Sequence, residues 1–371
     1  AGFNNNGSNN NFIGCRAGFN NTEGGNNNFL GIQGGFNNTE GGYNNFIGSC
    51  AGFANTTGSC NNMIGVGAGR CATVTGSYNN FFGAYAGKCA SGSGSNNNFI
   101  GLCAGRGNTT GSYNNFFGND AGYCNTTGGD NNFFGPNTGY FNTTGNSNNF
   151  IGGQAGCSNT TGGQNNFIGD FAGNFNTTGS CNNFFGSRAG FANTTGCHNN
   201  FFGSCAGCNN TTGDNNIAFG LNAGQTTGTP SGLINLTTSS NCIVMGNADH
   251  SCAAIQVAWT VISDIRDKCV YGTVPHGRGF LQNINPIKYS FKNRETNEVT
   301  DERVRYGFSA QEVANLEGDE PIISSKSNID KWGVTHEHLL PVLVNAIKEL
   351  DAENQELKER LSLLEEKFNS L

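Results

Sequence analysis

The chain has 371 residues, of which 58 are Gly, 29 Phe and 6 Pro, and only 12% are charged. Gly at this level without a three-residue period excludes a collagen-like triple helix, and a net charge of −7 without a basic patch argues against nucleic acid as a partner. No apolar run approaches the roughly 18 residues of a membrane span. Of the 26 acids and 19 bases, 7 and 5 fall in residues 1–262, which leaves 19 and 14 for the last 109. The chain opens on AGFNNNG, with no Met and no signal peptide, and reads as a fragment or processed form.

Internal periodicity comes first along the chain. The first apolar residue after each Asn-Asn pair falls at Phe12, Phe29, Phe46, Met63, Phe81, Phe99, Phe116, Phe133, Phe150, Phe167, Phe184 and Phe201, with Ile217 as a degenerate last copy. The step is 17 residues, apart from two steps of 18 around Phe81 and one of 16 at the end. Such regularity separates the segment from disordered low complexity, which its composition alone would suggest. One unit reads SYNNFFGNDAGYCNTTG, residues 112–128. Asn-Phe-Phe is strand-like and stops at Gly118. Ala121-Gly122 reads as a second short strand. Asn125-Thr-Thr-Gly reads as a turn, with Gly able to take positive φ and Asn able to bond its own backbone. Two short strands and two turns predict one rung of a parallel β-solenoid, and thirteen rungs at about 4.8 Å a rod of roughly 60 Å.

Adjacent strand residues point to opposite faces, so of Phe116 and Phe117 one enters the core and the other faces out. Repeated in nearly every rung, the outward residues form an apolar stripe that calls for a partner surface. The Asn residues read as amide ladders between rungs, with a glycan or other ligand site on the Asn faces as the alternative. The sequons at Asn55 and Asn108 formally match N-glycosylation but fall out of the turn sequence. The 15 Cys follow no disulfide framework, and most read as small thiols in the repeat wall. Cys205 and Cys208 make a single C-x-x-C without a second pair, so no metal site is expected. Cys71 and Cys89 share one phase in successive repeats, where they can stack closely enough to pair.

These units resemble the head repeats of trimeric autotransporter adhesins, which run Asn-x-apolar-x-Ile-Gly before Ala-rich turns. They are also similar to viral fibre shafts. The resemblance covers residues 1 to about 247 and implies a trimer of parallel β-rolls with a structural or adhesive role.

Residues 225–262 leave the repeat. TTGTPSG reads as a linker, LINLTTSSNCIVMGNADH as one or two closing strands, and AAIQVAWTVI as a strand whose Trp259 is placed to cap the apolar end of the rod. From Ser263 the composition is that of an ordinary soluble domain. SDIRDK, residues 263–268, puts a hydroxyl, Ser263, and an amine, Lys268, five residues apart. INPIKYSF, YGFSAQEV and WGVTHEHLLPVLVNAIKEL follow. His336 and His338 lack zinc-ligand spacing and read as surface residues before the last helix. In that helix Leu340, Leu343, Ile347, Leu350, Asn354, Leu357, Leu361, Leu364, Phe368 and Leu371 alternate by three and four, a coiled-coil seam. Asn354, at an a position, lowers stability but fixes register and strand number. The predicted organisation is repeats at 1–224, linker and closing strands at 225–262, a small α+β domain at 263–339 and its coiled-coil helix at 340–371; the chain is mainly β.

In this order the C-terminal motifs closely resemble the intramolecular chaperone auto-processing domain of phage tail spikes, endosialidases and fibres, over all 109 residues from Ser263 to Leu371. The resemblance implies a domain that trimerises, drives folding of the β-rich fibre ahead of it and then cuts the chain just before the Ser. That makes it an autocatalytic serine endopeptidase acting on its own chain. Carried over here, the scissile bond is Ile262–Ser263, Ser263 is the nucleophile and Lys268 its general base, with Asp264 and Arg266 shaping the loop. The dyad needs a neutral amine, which desolvation in a trimer supplies, so cleavage is tied to assembly. No cofactor is implied. The implied partners are two further copies of the chain and a host surface glycan or receptor, at a virion fibre or an extracellular surface. The alternatives are a tail-spike-type glycan-degrading enzyme and a cellular surface adhesin whose chaperone domain does not cleave. Against the former, the seven carboxylates of residues 1–262 share no phase that would set up a facing pair.

Overall fold

The computed structural model describes residues 1–70, 75–89, 92–225, 236–247, 263–292, 296–299, 302–319, 321–328 and 331–370. Cys71, Trp259, the strand candidate 253–262 and Ile262 lie outside these residues. The described chain falls into two units, one ending at Asn247 and one starting at Ser263.

The first unit is a parallel β-solenoid of 17-residue repeats, as the periodicity predicts. Among the described residues it holds fourteen strands of three residues, β1 (Asn11–Ile13) to β14 (Ile243–Met245), paired in chain order in one parallel sheet. β7 (Asn115–Phe117) shows the rule for the rungs. Phe116 points inward and is fully buried, while Asn115 and Phe117 point out. The inner rings stack on one another at 4.7–5.0 Å from Phe12 to Phe46 and from Phe81 to Phe201, with Met63 filling the gap. Each buried ring stabilises the rod by about 1.5–3 kcal/mol.

Asn supplies the polar half of the interior. Asn125 is fully buried; its Nδ2 donates to Asn108 Oδ1 one rung back at 2.7 Å and to Gly128 O in its own turn at 2.9 Å. Asn114 is buried as well, donating to Gly128 O at 2.8 Å and accepting from the Asn131 N–H at 3.1 Å. A third ladder runs along the outer sheet face, where twelve carboxamides from Asn11 to Asn200 are linked at 2.7–2.9 Å.

Two expectations are corrected. The Ala-Gly segment is not a strand. Residues 119–124 are consecutive turns, left-handed at Asp120 (φ 54°) and Gly122 (φ 60°), conformations no strand allows. Gly122 is needed because a Cβ there would meet the Phe116 ring at 2.4 Å. Turn-to-turn bonds, such as Gly122 N–H to Thr138 O at 2.9 Å, replace a second sheet. The last step is also not 16 residues. Phe201 pairs with Ala218, so the step stays 17 and Ile217 stands outward in the Asn200 column. The glycine column sets this phase. A Cβ on Gly203 would lie 2.5 Å from Gly220 O, so that column tolerates no slip, whereas the Asn pair can shift by one.

The second unit is small and mixed. β15 (Pro286–Tyr289) pairs antiparallel with β16 (Arg305–Phe308), and β17 (Ser324–Asn328) with β18 (Lys331–Val334). The helices are α1 (Arg278–Gln282), α2 (Ala310–Glu317) and α3 (Leu339–Asn369). Ser309 caps α2, its hydroxyl accepting from the Glu312 N–H at 3.3 Å. Ile284, Val313, Ile323, Leu339 and Val342 form the core, with Phe280, Phe308 and Val334 against it.

The ladders define a stability test. Phe133→Ala, which opens a gap between two stacked rings, should lower the unfolding free energy by about 3–5 kcal/mol. Asn125→Ala should cost about 1–3 kcal/mol for each buried group it orphans. Chemical denaturation that showed neither loss would contradict the stacking.

Candidate functional site

Asp264 organises the start of the second unit. Its carboxylate accepts from the Arg266 N–H at 2.9 Å and so caps the short 3₁₀ turn Ile265–Asp267. It also pairs with the Arg266 guanidinium at 2.5 and 3.1 Å, and these bonds hold its carboxyl below the usual carboxylate value. The turn closes through Asp267 N–H to Asp264 O and Lys268 N–H to Ile265 O, both 3.2 Å. By reversing the chain it brings Lys268 Nζ into hydrogen bond with Ser263 Oγ. Both members of the pair are exposed to solvent. A hydroxyl held against an amine beside a peptide carbonyl is the minimum apparatus for acyl transfer to oxygen. Ile262, on the acyl side of that bond, lies outside the described residues.

Downstream of the pair the chain is tied to α3. Asn345 Nδ2 donates to Val274 O at 3.0 Å and His276 O at 3.2 Å. Glu349 accepts from the Arg278 N–H at 2.7 Å, and the Arg278 guanidinium pairs with Glu353. Sequence reasoning missed this clamp, because 71 residues separate Arg278 from Glu349 and no local pattern links them. It missed Glu317 too. That carboxylate receives the N–H groups of Ile322, Ile323 and Ser324 at 2.7, 2.5 and 2.8 Å and the Ser324 hydroxyl at 2.6 Å. His336 and His338 form the 3₁₀ turn ahead of α3, with His338 Nδ1 2.8 Å from Ile322 O.

On α3, Leu339, Val342 and Ala346 are buried in their own unit. The flanking stripe is bare: Leu340, Leu343, Ile347, Leu350, Leu357, Leu361 and Leu364 are exposed, and Phe368 is 78% exposed. Asn354 lies within that stripe, exposed. The outer sheet face of the solenoid carries a comparable apolar column, including Ile47, Ile100, Phe134, Ile151 and Ile168, each 37–43% exposed. Phe117 and Phe134 stack there at 4.8 Å, so the column presents ring edges rather than ring faces.

The other candidates of the repeat are structural. Asn55 and Asn108 are buried and spend their amides on Gly58 O and Gly111 O, both at 2.9 Å, so the folded rung has no room for a glycan there. Cys89 is a free thiol, as are Cys205 and Cys208. Burial, reinforced by the neighbouring Cys205, pushes the Cys208 thiol up to about 12, which keeps it protonated and unreactive. No helix among the described residues is long and apolar enough to cross a membrane. Compared with protein-family models, curated proteins and solved structures, the chain finds no match, so the site rests on its own geometry.

Glu317 sets an acid limit on the second unit. Burial works to raise its carboxyl, but the four donors outweigh burial and hold it below the ordinary value of 4.5. Its stabilising contribution is therefore present above pH 4.5 and is lost as pH falls through the lower folded value. Glu317→Gln should lower the melting temperature of this unit at neutral pH and flatten its decline in acid. An unchanged melting curve against pH would show that the clasp contributes nothing.

Proposed function

We propose that the chain is a homotrimeric fibre element of a virion or other extracellular surface. Its solenoid is an adhesive shaft, and its second unit is a trimerisation chaperone that cuts the chain between Ile262 and Ser263. The observation that carries this reading is the hydrogen bond between Lys268 Nζ and Ser263 Oγ at the first described residues of the second unit. Support comes from two unpartnered apolar surfaces, the outer column of the sheet and the bare stripe of α3. In the proposed trimer each is covered by its equivalents in the other copies.

The chemistry needs only this chain. Lys268, as the neutral amine, takes the proton of Ser263 Oγ while that oxygen attacks the carbonyl carbon of residue 262. The C–N bond then breaks, the proton passes to the departing α-amine, and the acyl group is left as an ester on Ser263. Water hydrolyses the ester to a free carboxylate and restores the hydroxyl. In one copy the pair stands open to water. Covering the turn with neighbouring copies removes that solvation and favours the neutral form. Assembly thereby licenses cleavage.

Intact mass of freshly folded protein should show a fragment ending at Ile262 and another starting at Ser263. Ser263→Ala and Lys268→Met should each leave the chain whole while preserving its oligomeric state by light scattering. Cleavage that persists in Ser263→Ala, or a cut at another bond, would remove the dyad from the mechanism. Asn354→Ile tests the seam: the melting temperature should rise and the choice of oligomer should broaden, because a polar a position exchanges stability for register. A sharp trimer unaffected by that change would place the register elsewhere.

A further inference from the structure

The rungs nearest β1 carry surface chemistry that the shaft does not require. The segment GFNNTEGG occurs twice, at residues 18–25 and 35–42, one rung apart. Three columns come with it. Phe3, Phe19, Phe36 and Phe53 stack at 5.1–5.2 Å. Beside them Asn4 Nδ2 donates to Asn20 Oδ1 at 3.3 Å, and Asn20 Nδ2 to Asn37 Oδ1 at 3.0 Å. Thr22 and Thr39 form the third column, their hydroxyls fixed by donation to the carbonyls of Thr39 and Thr56 at 3.0 and 3.1 Å. Between the Asn and Thr columns runs an open groove of about 510 Å³, with Ala54 at one end. None of its lining residues belongs to the sheet.

The fold does not impose this lining. In later rungs the Asn column is occupied by Phe141, Ser158, Phe175 and Ala192 without loss of the rung. A carboxamide in such a ladder keeps one N–H and one lone pair unspent, and a Thr hydroxyl that has donated keeps its acceptor capacity. The ladder ends at Asn37, since Ala54 follows it. The groove therefore offers uncharged donors and acceptors once per rung, about every 4.8 Å, close to the rise of one sugar in an extended glycan. Next in sequence to Thr22 and Thr39 come the exposed carboxylates Glu23 and Glu40, where the turns of later rungs carry Thr such as Thr127 and Thr144. They share one phase, one rung apart, side by side on the same turn column rather than facing across a cleft. A hydroxyl-rich neutral chain meets only hydrogen-bonding groups here, whereas an acidic one meets two negative charges.

The geometry points to a subsite for a neutral glycan strand lying along the rod axis over Asn4 to Thr56, with Asn20 and Asn37 as its principal donors and Glu23 and Glu40 excluding acidic sugars. This names a ligand class for the adhesive shaft and rests on that reading. The full-length chain is titrated by calorimetry with neutral hexose and N-acetylglucosamine oligomers and with their sialylated counterparts. Neutral oligomers should bind and sialylated ones should not. Asn20→Ala combined with Asn37→Ala should weaken binding about tenfold or more with an unchanged circular dichroism spectrum, because Ala54 and Ala192 already occupy that column. Glu23→Gln combined with Glu40→Gln should admit the sialylated oligomers. Absence of binding to every oligomer, preference for the sialylated ones, or undiminished binding in the double Ala variant would overturn the subsite. Intact mass and light scattering on the same samples report cleavage and assembly, so failure of the fibre reading is distinguished from failure of the subsite.

Discussion

Stacking each residue on its own equivalent about 4.8 Å away is the constraint on which the solenoid depends. An inward side chain must satisfy itself. Phe does so ring on ring. Asn does so because a single carboxamide carries both donor and acceptor, so a column of identical amides closes its bonds in both directions. Asp offers only acceptors and Lys only donors, and a column of like charges repels itself. The charge-poor composition of residues 1–262, with 7 acids and 5 bases, is thus a consequence of the stacking and needs no ligand to explain it. Glycine enters for the same reason, wherever a Cβ would occupy the next rung's backbone.

How much of this is legible in the sequence depends on whether an interaction is local or periodic. The rung length, the parallel register and the inward role of one Phe of each pair follow from a 17-residue period and the two-residue alternation of strands. The split of Asn into two buried ladders and an outer one does not, since Asn114 and Asn115 are identical letters on opposite faces. Reading Ala121-Gly122 as a strand fails because the pattern of small residues cannot report φ, and Asp120 is left-handed there without being glycine. In the second unit Asp264, Arg266 and Lys268 are close in sequence, so their turn is readable. The Arg278–Glu353 pair, 75 residues apart, is a tertiary fact with no trace in local pattern.

Each unit leaves an apolar surface exposed. The solenoid satisfies itself along its axis and leaves an apolar column on the sheet face. The second unit satisfies itself through Val313, Ile323 and Val342 and leaves a stripe of α3 bare. Axial hydrogen bonding cannot repair either surface, because both run along the length of the element. In the fibre proposed above, lateral association of copies would cover both surfaces and shield the exposed Ser263–Lys268 pair from water. In the proposed fibre one event therefore supplies the missing apolar contact and the missing desolvation.

A ladder that satisfies itself must also end, and the ending explains the departures near residue 217. Ile217 takes the place of Asn in the outer ladder, and Asn200 Nδ2 turns to His198 O at 3.4 Å. Ala218 and Val244 replace Phe in the core. Leu236, fully buried, follows Asn210 in the inner amide column, as the bond from Thr211 N–H to Thr237 O fixes its phase. A Leu cannot donate, so Asn210 Oδ1 is left without a hydrogen-bond partner among the described residues. An orphaned buried acceptor costs about 1–3 kcal/mol, and burying a Leu side chain returns about 1.5–3 kcal/mol. The exchange is close to neutral in energy. Its effect is topological, since it replaces a column that could continue on any further Asn with an apolar plug that cannot.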